Sequence, residues 1–141
     1  MLALMSMLSA PAIAGPCCGE ALKCTIDLEF SGTAWEGTIT GDINGELQLI
    51  ERPAIWIGPI QHYFEDFVIT IGEYTIEGPN RGVWNSGTLE FKYTGLVTKV
   101  TGEDDAWDYL VGWKTHGKGD TSDPFSGDPF TAEGTMVLVP P

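Results

Sequence analysis

Strict alternation of apolar and polar residues is the feature that most limits how this chain can fold. In Leu22–Phe30 every second side chain is apolar and the residues between are polar. Segments 89–97 and 130–138 repeat this pattern. A period of two residues is typical of a β-strand with one face in a core and the other in water. No helical period appears after residue 14, so the chain is predicted to be all-β.

The strands are predicted to form a single antiparallel up-and-down β-barrel. About eight to nine of them occur at short spacing and are joined by tight turns, which favours this architecture. Closure into a barrel removes the exposed sheet edges. A two-sheet β-sandwich is the alternative. We expect the barrel to occupy residues 22–141, after a leader (1–14) and a Cys-containing segment (15–21).

The first fourteen residues resemble a signal peptide. They form an apolar run that is broken by Pro11, and the small residues Ala12 and Ala14 have the spacing that a signal peptidase recognises. The run is too short to span a bilayer. No Lys or Arg precedes it. We therefore predict an exported protein, either secreted, periplasmic or in the cell envelope, and a buried N-terminal segment is the alternative.

The three cysteines of the chain lie close behind this leader. Cys17 and Cys18 are adjacent and Cys24 follows in the first strand. Adjacent cysteines rarely bridge each other, and an exported chain meets an oxidising compartment. The sequence predicts a disulfide of Cys24 with Cys17 or Cys18. The third thiol is either free or pairs with a second chain, which would give a homo-oligomer.

The charge of the chain is strongly negative. Twenty acidic and seven basic residues give −13, and none of them precedes Glu20. Nucleic acids and anionic lipid headgroups need a basic patch, so neither is an expected partner. The chain has no phosphate loop, dinucleotide fingerprint or nucleophile elbow, and no cofactor is predicted. The aspartates of segment 120–128 do not match a calcium-loop spacing, so no metal site is predicted either.

Several connections can be predicted from glycine and proline. In Trp35–Leu49, a three-residue loop at 43–45 with Gly45 in the left-handed region would make a hairpin, and one long bent strand is the alternative. Gly78-Pro79-Asn80 is expected to end a strand that begins at Tyr74. Trp107–His116 is predicted to be a strand, and 117–129 a loop.

Segment Glu51–Gln61 is unusually apolar for a loop. Pro53 and Pro59 exclude it from a central strand. We expect a flap that folds onto the barrel and buries Trp56. The alternatives are a lid over a ligand cavity and a contact with another subunit.

The aromatic residues Trp35, Tyr93, Tyr109 and Trp113 fall on apolar strand faces. An eight-stranded barrel is either filled by such side chains or holds one small ligand. Inward glycines reduce the filling volume and favour a cavity, which Trp56 would also line. These glycines are residues 37, 41, 95 and 134. The first predicted function is therefore the binding of a small apolar molecule.

Glu65 is the strongest catalytic candidate. It shares the inward face of strand His62–Ile71 with Tyr63 and Phe67. A carboxyl group inside a barrel has a raised pKa and can act as a general base. The second predicted function is a cofactor-free isomerase or cyclase, with Tyr93 or Tyr109 as proton donor. The alternative is a position at the barrel rim, where Glu65 stays in water.

Four short motifs carry a resemblance. Gly82-Val83-Trp84, Tyr93-Thr94-Gly95, Val100-Thr101-Gly102 and Ala132-Glu133-Gly134-Thr135 resemble those of small exported β-barrel proteins, and remotely those of allene oxide cyclase-like and calycin barrels. The resemblance covers residues 25–139 and implies an eight-stranded barrel with an apolar cavity and oligomers. No catalytic residue of the cyclases matches a position here. A structural or oligomerising envelope protein is the third predicted function.

Overall fold

A computed structural model describes residues 19–141, which form an all-β protein. The strands in chain order are β1 (Leu22–Phe30), β2 (Ala34–Gly41), β3 (Gly45–Glu51), β4 (Ile55–Ile57), β5 (Ile60–Ile71), β6 (Tyr74–Asn85), β7 (Glu90–Leu96), β8 (Lys99–Thr101), β9 (Lys114–Thr121) and β10 (Thr131–Val139). A turn of 3-10 helix, Asp108–Leu110, lies between β8 and β9. No helix in the described residues is long and apolar enough to cross a membrane.

Eight of these strands close into an antiparallel barrel, which confirms the predicted fold. Each barrel strand pairs with the next along the chain, and β10 closes the circle by pairing with β1. The two short strands, β4 and β8, lie outside this circle. β4 pairs with the first residues of β5, and β8 pairs with the first residues of β6. The order is that of an up-and-down barrel.

One half of the barrel interior is filled with aliphatic and aromatic side chains. We call it the filled half. Its residues are at most 3% exposed, and each such side chain stabilises the fold by roughly 1.5–3 kcal/mol. They include Ile39, Ile43, Leu47, Phe67, Ile69, Ile76, Val97, Leu110, Trp113, Met136 and Leu138. At the opposite ends of the same strands lies the open half, which contains the candidate site.

The predicted hairpin between β2 and β3 has the wrong register. Gly37 pairs with Leu47 and Ile39 with Gly45, so the loop is longer than three residues. Gly41, and not Gly45, adopts a positive φ of 123°. Asn44 closes the loop, because its side-chain oxygen accepts a hydrogen bond from the Gly41 N–H and its amide donates to the Gly41 carbonyl. The inward face is nevertheless the predicted one, since the shift is by an even number of residues.

The predicted break at Gly78-Pro79-Asn80 is also wrong, because β6 runs through it. Pairing of β6 with β8 ends at Glu77, and pairing with β7 begins at Asn80. Pro79 therefore lies where β6 exchanges one neighbour for another on that side. A residue without an N–H is tolerated at such a gap in the ladder.

The predicted strand Trp107–His116 is wrong over its first part. Residues 108–110 form the 3-10 turn, which turns Leu110 into the core and leaves Tyr109 37% exposed. β9 begins only at Lys114 and runs to Thr121, where a loop was predicted. Its glycines lie under aromatic rings of neighbouring strands. A Cβ on Gly117, for example, would lie 2.4 Å from the hydroxyl oxygen of Tyr93.

Candidate functional site

A cavity of about 470 Å³ occupies the open half of the barrel and opens at its end. Its volume falls in the range of small-molecule sites. Of the described residues that line it, nine are aromatic, and the others are divided evenly between apolar and polar side chains. Among residues 19–141 no inserted segment fills the open half, whereas Leu110 and Trp113 enter the filled half from the connection between β8 and β9.

The predicted reason for the cavity is wrong, because none of the four glycines lines it. A Cβ on Gly37 would lie 1.9 Å from the carbonyl oxygen of Asp27, and one on Gly134 would lie 2.3 Å from that of Lys118. These glycines allow close approach of neighbouring strands. They affect how closely the strands pack, and the volume of the cavity is set by other residues.

Five aromatic rings form a continuous wall along one side of the cavity. The ring centroids are 5.1 Å apart for Phe30 and Trp35, and 4.8 Å apart for Trp35 and Phe130. Trp84 continues the row at 6.0 Å from Phe130, and Trp56 lies 6.0 Å beyond Trp84. Such tilted and edge-to-face contacts stabilise each ring's orientation. We call these five residues the aromatic wall.

Trp56 stands at the entrance of the cavity. It comes from β4, outside the barrel, and remains 52% exposed, so the expectation that a flap buries it is wrong. The reason is its position on an outer strand that pairs with only one neighbour, β5. Phe125, from the loop between β9 and β10, also lines the cavity and is 93% exposed. Both rings lie at the opening of the cavity.

Glu65 lies at the inner end of the cavity and is only 3% exposed. On β5 it alternates with Tyr63 and Phe67, as the sequence pattern indicates, and all three point inward. The alternative of a rim position in water is excluded by this burial. Tyr63 and Tyr93 line the cavity beside it.

A short chain of hydrogen bonds supports Glu65. The Thr115 hydroxyl donates to Asn80 Oδ1 at 2.9 Å, and Asn80 Nδ2 donates to Glu65 Oε2 at 3.4 Å. Asn80 and Thr115 are 4% and 1% exposed. Because the threonine hydroxyl is held by the amide oxygen, the amide nitrogen is directed at the carboxyl group.

Burial raises the pKa of Glu65 from 4.5 to about 8. The hydrogen bond from Asn80 acts in the opposite direction, and the negative charges of Glu51 and Asp66 raise the pKa further. With a pKa of about 8 the carboxyl group is mostly protonated at neutral pH. The pKa values of the Tyr63 and Tyr93 hydroxyls are raised as well, first by burial and then by the charge of Glu65.

The two tyrosine hydroxyls are engaged by the backbone. Tyr93 donates to the Thr135 carbonyl at 2.8 Å, and Tyr63 to the Lys92 carbonyl at 3.5 Å. Their hydroxyl protons are therefore held by the backbone, and their rings line the cavity.

A second carboxyl group lies on the same wall of the barrel as Glu65. Glu51 of β3 pairs directly with Glu65 of β5, so both side chains point inward. Glu51 is exposed at the mouth, where its Oε2 accepts a hydrogen bond from the Trp35 indole N–H at 3.1 Å. Among the described residues, no Lys, Arg or His lines the cavity.

The structure brings together Glu65, Trp35, Trp56 and Tyr93 of the predicted site residues. Tyr109 and Trp113 do not reach the cavity. They were predicted to lie on one strand face, but Tyr109 lies in the 3-10 turn at the surface and Trp113 is buried in the filled half.

Sequence reasoning missed Trp84, Phe130 and Glu51 as cavity residues. Phe130 had already been placed on the apolar face of the last strand. Trp84 has the parity of Ile76 and Asn80, and would have been found if β6 had been continued through Pro79.

The predictions about metal binding and the disulfide can be compared with residues 19–141 only. Within residues 19–141 no group of three or more His, Cys, Asp or Glu side chains is arranged to hold a metal ion. Cys24 is buried in the core, whereas Cys17 and Cys18 lie outside the described residues. The disulfide stays a prediction.

Comparison with protein-family models, with curated proteins and with solved structures finds no match to this chain. The resemblance to allene oxide cyclase-like and calycin barrels stays a prediction. The functional argument rests on the cavity itself.

Proposed function

We propose that this protein binds a small, largely apolar molecule inside the open half of its barrel. The observation that carries the proposal is the cavity of about 470 Å³ lined by nine aromatic residues. Aromatic side chains supply large apolar contact areas, and a mostly apolar cleft with a few polar groups is the usual form of a small-molecule site. Exposed Trp56 and Phe125 at the entrance contribute apolar surface to an entering ligand.

Filling the cavity tests the proposal. Ala132 lines the cavity from β10 and is 5% exposed, so Ala132→Trp would occupy its volume. We expect the neutral fluorophore N-phenyl-1-naphthylamine to bind wild type, and Ala132→Trp to weaken binding by about tenfold or more. Val111→Trp, at a position that is 50% exposed outside the cavity, is the matched control and should bind as wild type does.

Circular dichroism of both variants checks that the barrel is retained. Absence of binding to wild type, or equal binding by a folded Ala132→Trp variant, would contradict the proposal. The second result would place the fluorophore on the outer surface.

A cofactor-free isomerase or cyclase is the second candidate, because a buried carboxyl group with a raised pKa lies in the cavity. This candidate lacks a free proton donor of the predicted kind. The Tyr93 hydroxyl donates to a backbone carbonyl, and Tyr109 does not line the cavity. The test takes a compound that binds wild type, incubates it with wild type and with Glu65→Gln, and compares the recovered compound by NMR. Conversion by wild type alone would favour the enzyme, and unchanged recovery from both would favour the binding protein.

Export and oligomerisation stay predictions from the sequence. The leader that motivates export and two of the three cysteines fall in residues 1–18, outside the described part.

A further inference from the structure

The charges around the cavity are of one sign. Its ionisable carboxyl groups are Glu51 at the mouth and Glu65 at the inner end, and no basic residue of the described part lines it. These two residues are directly paired on neighbouring strands, so their Cβ atoms lie about 4.5–5.5 Å apart. A ligand that reaches the inner end therefore passes both carboxyl groups on the same wall.

The hydrogen bonds that Glu51 and Glu65 already make leave their carboxyl groups able to accept hydrogen bonds from a ligand. The Trp35 indole N–H bonds Oε2 of Glu51, and the Asn80 amide bonds Oε2 of Glu65. Each contact orients a carboxyl group without adding a positive charge. An anionic ligand, such as a fatty acid, would meet the negative charge of Glu51, a second carboxyl group at Glu65 and no basic partner. A ligand with a positively charged group would find charge-assisted acceptors, which form stronger hydrogen bonds than neutral ones.

The aromatic residues add a second source of attraction for a cation. The electron-rich faces of Trp, Tyr and Phe attract ammonium groups within about 6 Å, most strongly where water is excluded. Trp35 touches both parts of the site, because it bonds Glu51 and packs in the aromatic wall. Tyr63 and Tyr93 bring further rings to the side of Glu65.

We propose that the ligand is an organic cation, with an apolar body of one or two rings and an ammonium group that lies between the Glu51–Glu65 pair and the aromatic rings. This inference rests on the proposed function, namely that a small molecule binds in this cavity. It adds the ligand's chemical class and assigns Glu51 and Glu65 as the residues that select for positive charge.

Ligand entry is coupled to the protonation of Glu65. A positive charge beside Glu65 favours its carboxylate, so the carboxyl proton leaves to solvent as the cation binds. The groups that face Glu65 are Glu51 on β3, Tyr63 on β5, Asn80 on β6, Tyr93 on β7 and, through Asn80, Thr115 on β9. Asp66, the next residue on β5, points outward and is paired with Arg52. None of the groups that face Glu65 supplies a positive charge. Cation affinity is therefore expected to rise with pH until Glu65 is ionised.

Three probes with one naphthalene body test the inference: 1-naphthylmethylammonium, 1-naphthalenemethanol and 1-naphthoate. Each competes with N-phenyl-1-naphthylamine at about 0.15 M salt, where exposed charges are screened beyond about 8 Å. We expect wild type to bind the cation about tenfold or more tightly than the alcohol, and the anion most weakly. This comparison needs no variant.

Variants then separate the cavity from the net charge of −13. Glu51→Gln alone should lower the ratio of cation to alcohol affinity, and the double variant Glu51→Gln/Glu65→Gln should lower it further, leaving only the contribution of the aromatic rings. The matched control is Glu36→Gln/Glu46→Gln, which removes two exposed carboxylates from β2 and β3. It should keep the wild-type ratio.

The outcomes distinguish this inference from the proposed function. Equal affinity of wild type for cation and alcohol would overturn the inference and leave the binding function standing. The inference would also be overturned if the Glu36→Gln/Glu46→Gln control lowered the ratio of cation to alcohol affinity as much as the cavity variants do. The preference for the cation would then come from overall charge. No binding of any probe, including N-phenyl-1-naphthylamine, would overturn the proposed function itself.

Discussion

At the scale of single residues, the burial of Glu65 links the stability of the barrel to pH. The pKa of this carboxyl group is about 8 in the folded protein and its ordinary value is 4.5. Between these values the folded state binds a proton that the unfolded state has lost. The free energy of unfolding therefore falls as pH rises from about 4.5 to about 8, by at most about 1.4 kcal/mol per pH unit from this group.

Glu65→Gln tests this linkage. Glutamine keeps an oxygen for the Asn80 amide but has no proton to lose, so the fall in stability between pH 5 and pH 8 should be reduced. The variant should be more stable than wild type at pH 8. Urea unfolding at pH 5, 6.5 and 8, followed by tryptophan fluorescence, gives the free energies.

Glu51→Gln is the control for Glu65→Gln. It removes an exposed carboxylate whose charge raises the pKa of Glu65. The fall in stability should persist in this variant and move to lower pH. Parallel pH profiles for wild type and Glu65→Gln would show that Glu65 titrates normally.

Gly95 leaves room for the hydrogen-bonded residues Asn80 and Thr115, because it has no side chain. A Cβ here would lie 2.0 Å from Asn80 Oδ1 and 2.6 Å from the Thr115 hydroxyl oxygen. We expect Gly95→Ala to lower the free energy of unfolding by about 1–3 kcal/mol, because the buried amide must move. The control is Gly87→Ala, whose Cβ would meet only Asn85 Oδ1 at 3.2 Å. A loss as small as about 0.5 kcal/mol for both, measured by urea unfolding, would contradict this account.

At the scale of elements, β4 adds little to barrel stability. Ile57 of β4 is 64% exposed, whereas Ile69 of β5 is fully buried in the filled half. Ile57→Ala should change the free energy of unfolding by no more than about 0.5 kcal/mol, and Ile69→Ala should lower it by about 2–5 kcal/mol. Thermal or urea unfolding of the two variants checks this. A large loss for Ile57→Ala would mean that β4 packs against another surface in solution.

Strand parity could be predicted from the sequence, but strand length and register could not. Alternation places Glu65 inward correctly, since it depends only on the neighbours Tyr63 and Phe67. Pro79 predicts a strand end, because the sequence does not show that β6 changes partner there. The segment around Leu110 shows apolar and polar alternation over a few residues and therefore predicts a strand. It forms a 3-10 turn instead, and this turn places Leu110 in the filled half of the barrel.

At the scale of the whole molecule, the site depends on which inward residues share a level of the barrel. That is set by the registers of all eight barrel strands together, which bring Glu51 beside Glu65 and Phe130 beside Trp35. No local pattern contains this information. The sequence therefore predicts a barrel with an aromatic-lined cavity and an inward carboxyl group, but it predicts neither which half is hollow nor that Glu51, Trp84 and Phe130 lie there.

The outer surface of the barrel carries like charges directly opposite each other. Glu29 of β1 pairs with Glu36 of β2, and Asp27 of β1 pairs with Glu133 of β10. Like charges at paired positions destabilise a sheet, and a net charge of −13 adds repulsion across the molecule. A high net charge of one sign favours solubility at some cost in stability.

Glu36→Lys should recover part of that stability. It replaces a like-charge pair by an opposite-charge pair with Glu29, and we expect a gain of about 0.5–1 kcal/mol at low salt. Glu46→Lys is the matched control, because it changes the net charge equally but faces Thr38 and Thr70. Urea unfolding at about 20 mM and about 500 mM NaCl separates the two contributions, since exposed charges are screened at the higher concentration. A larger gain for Glu36→Lys than for Glu46→Lys, shrinking with salt, is the expected result. Equal gains would assign the whole effect to net charge and would contradict a specific cost of the Glu29–Glu36 pair.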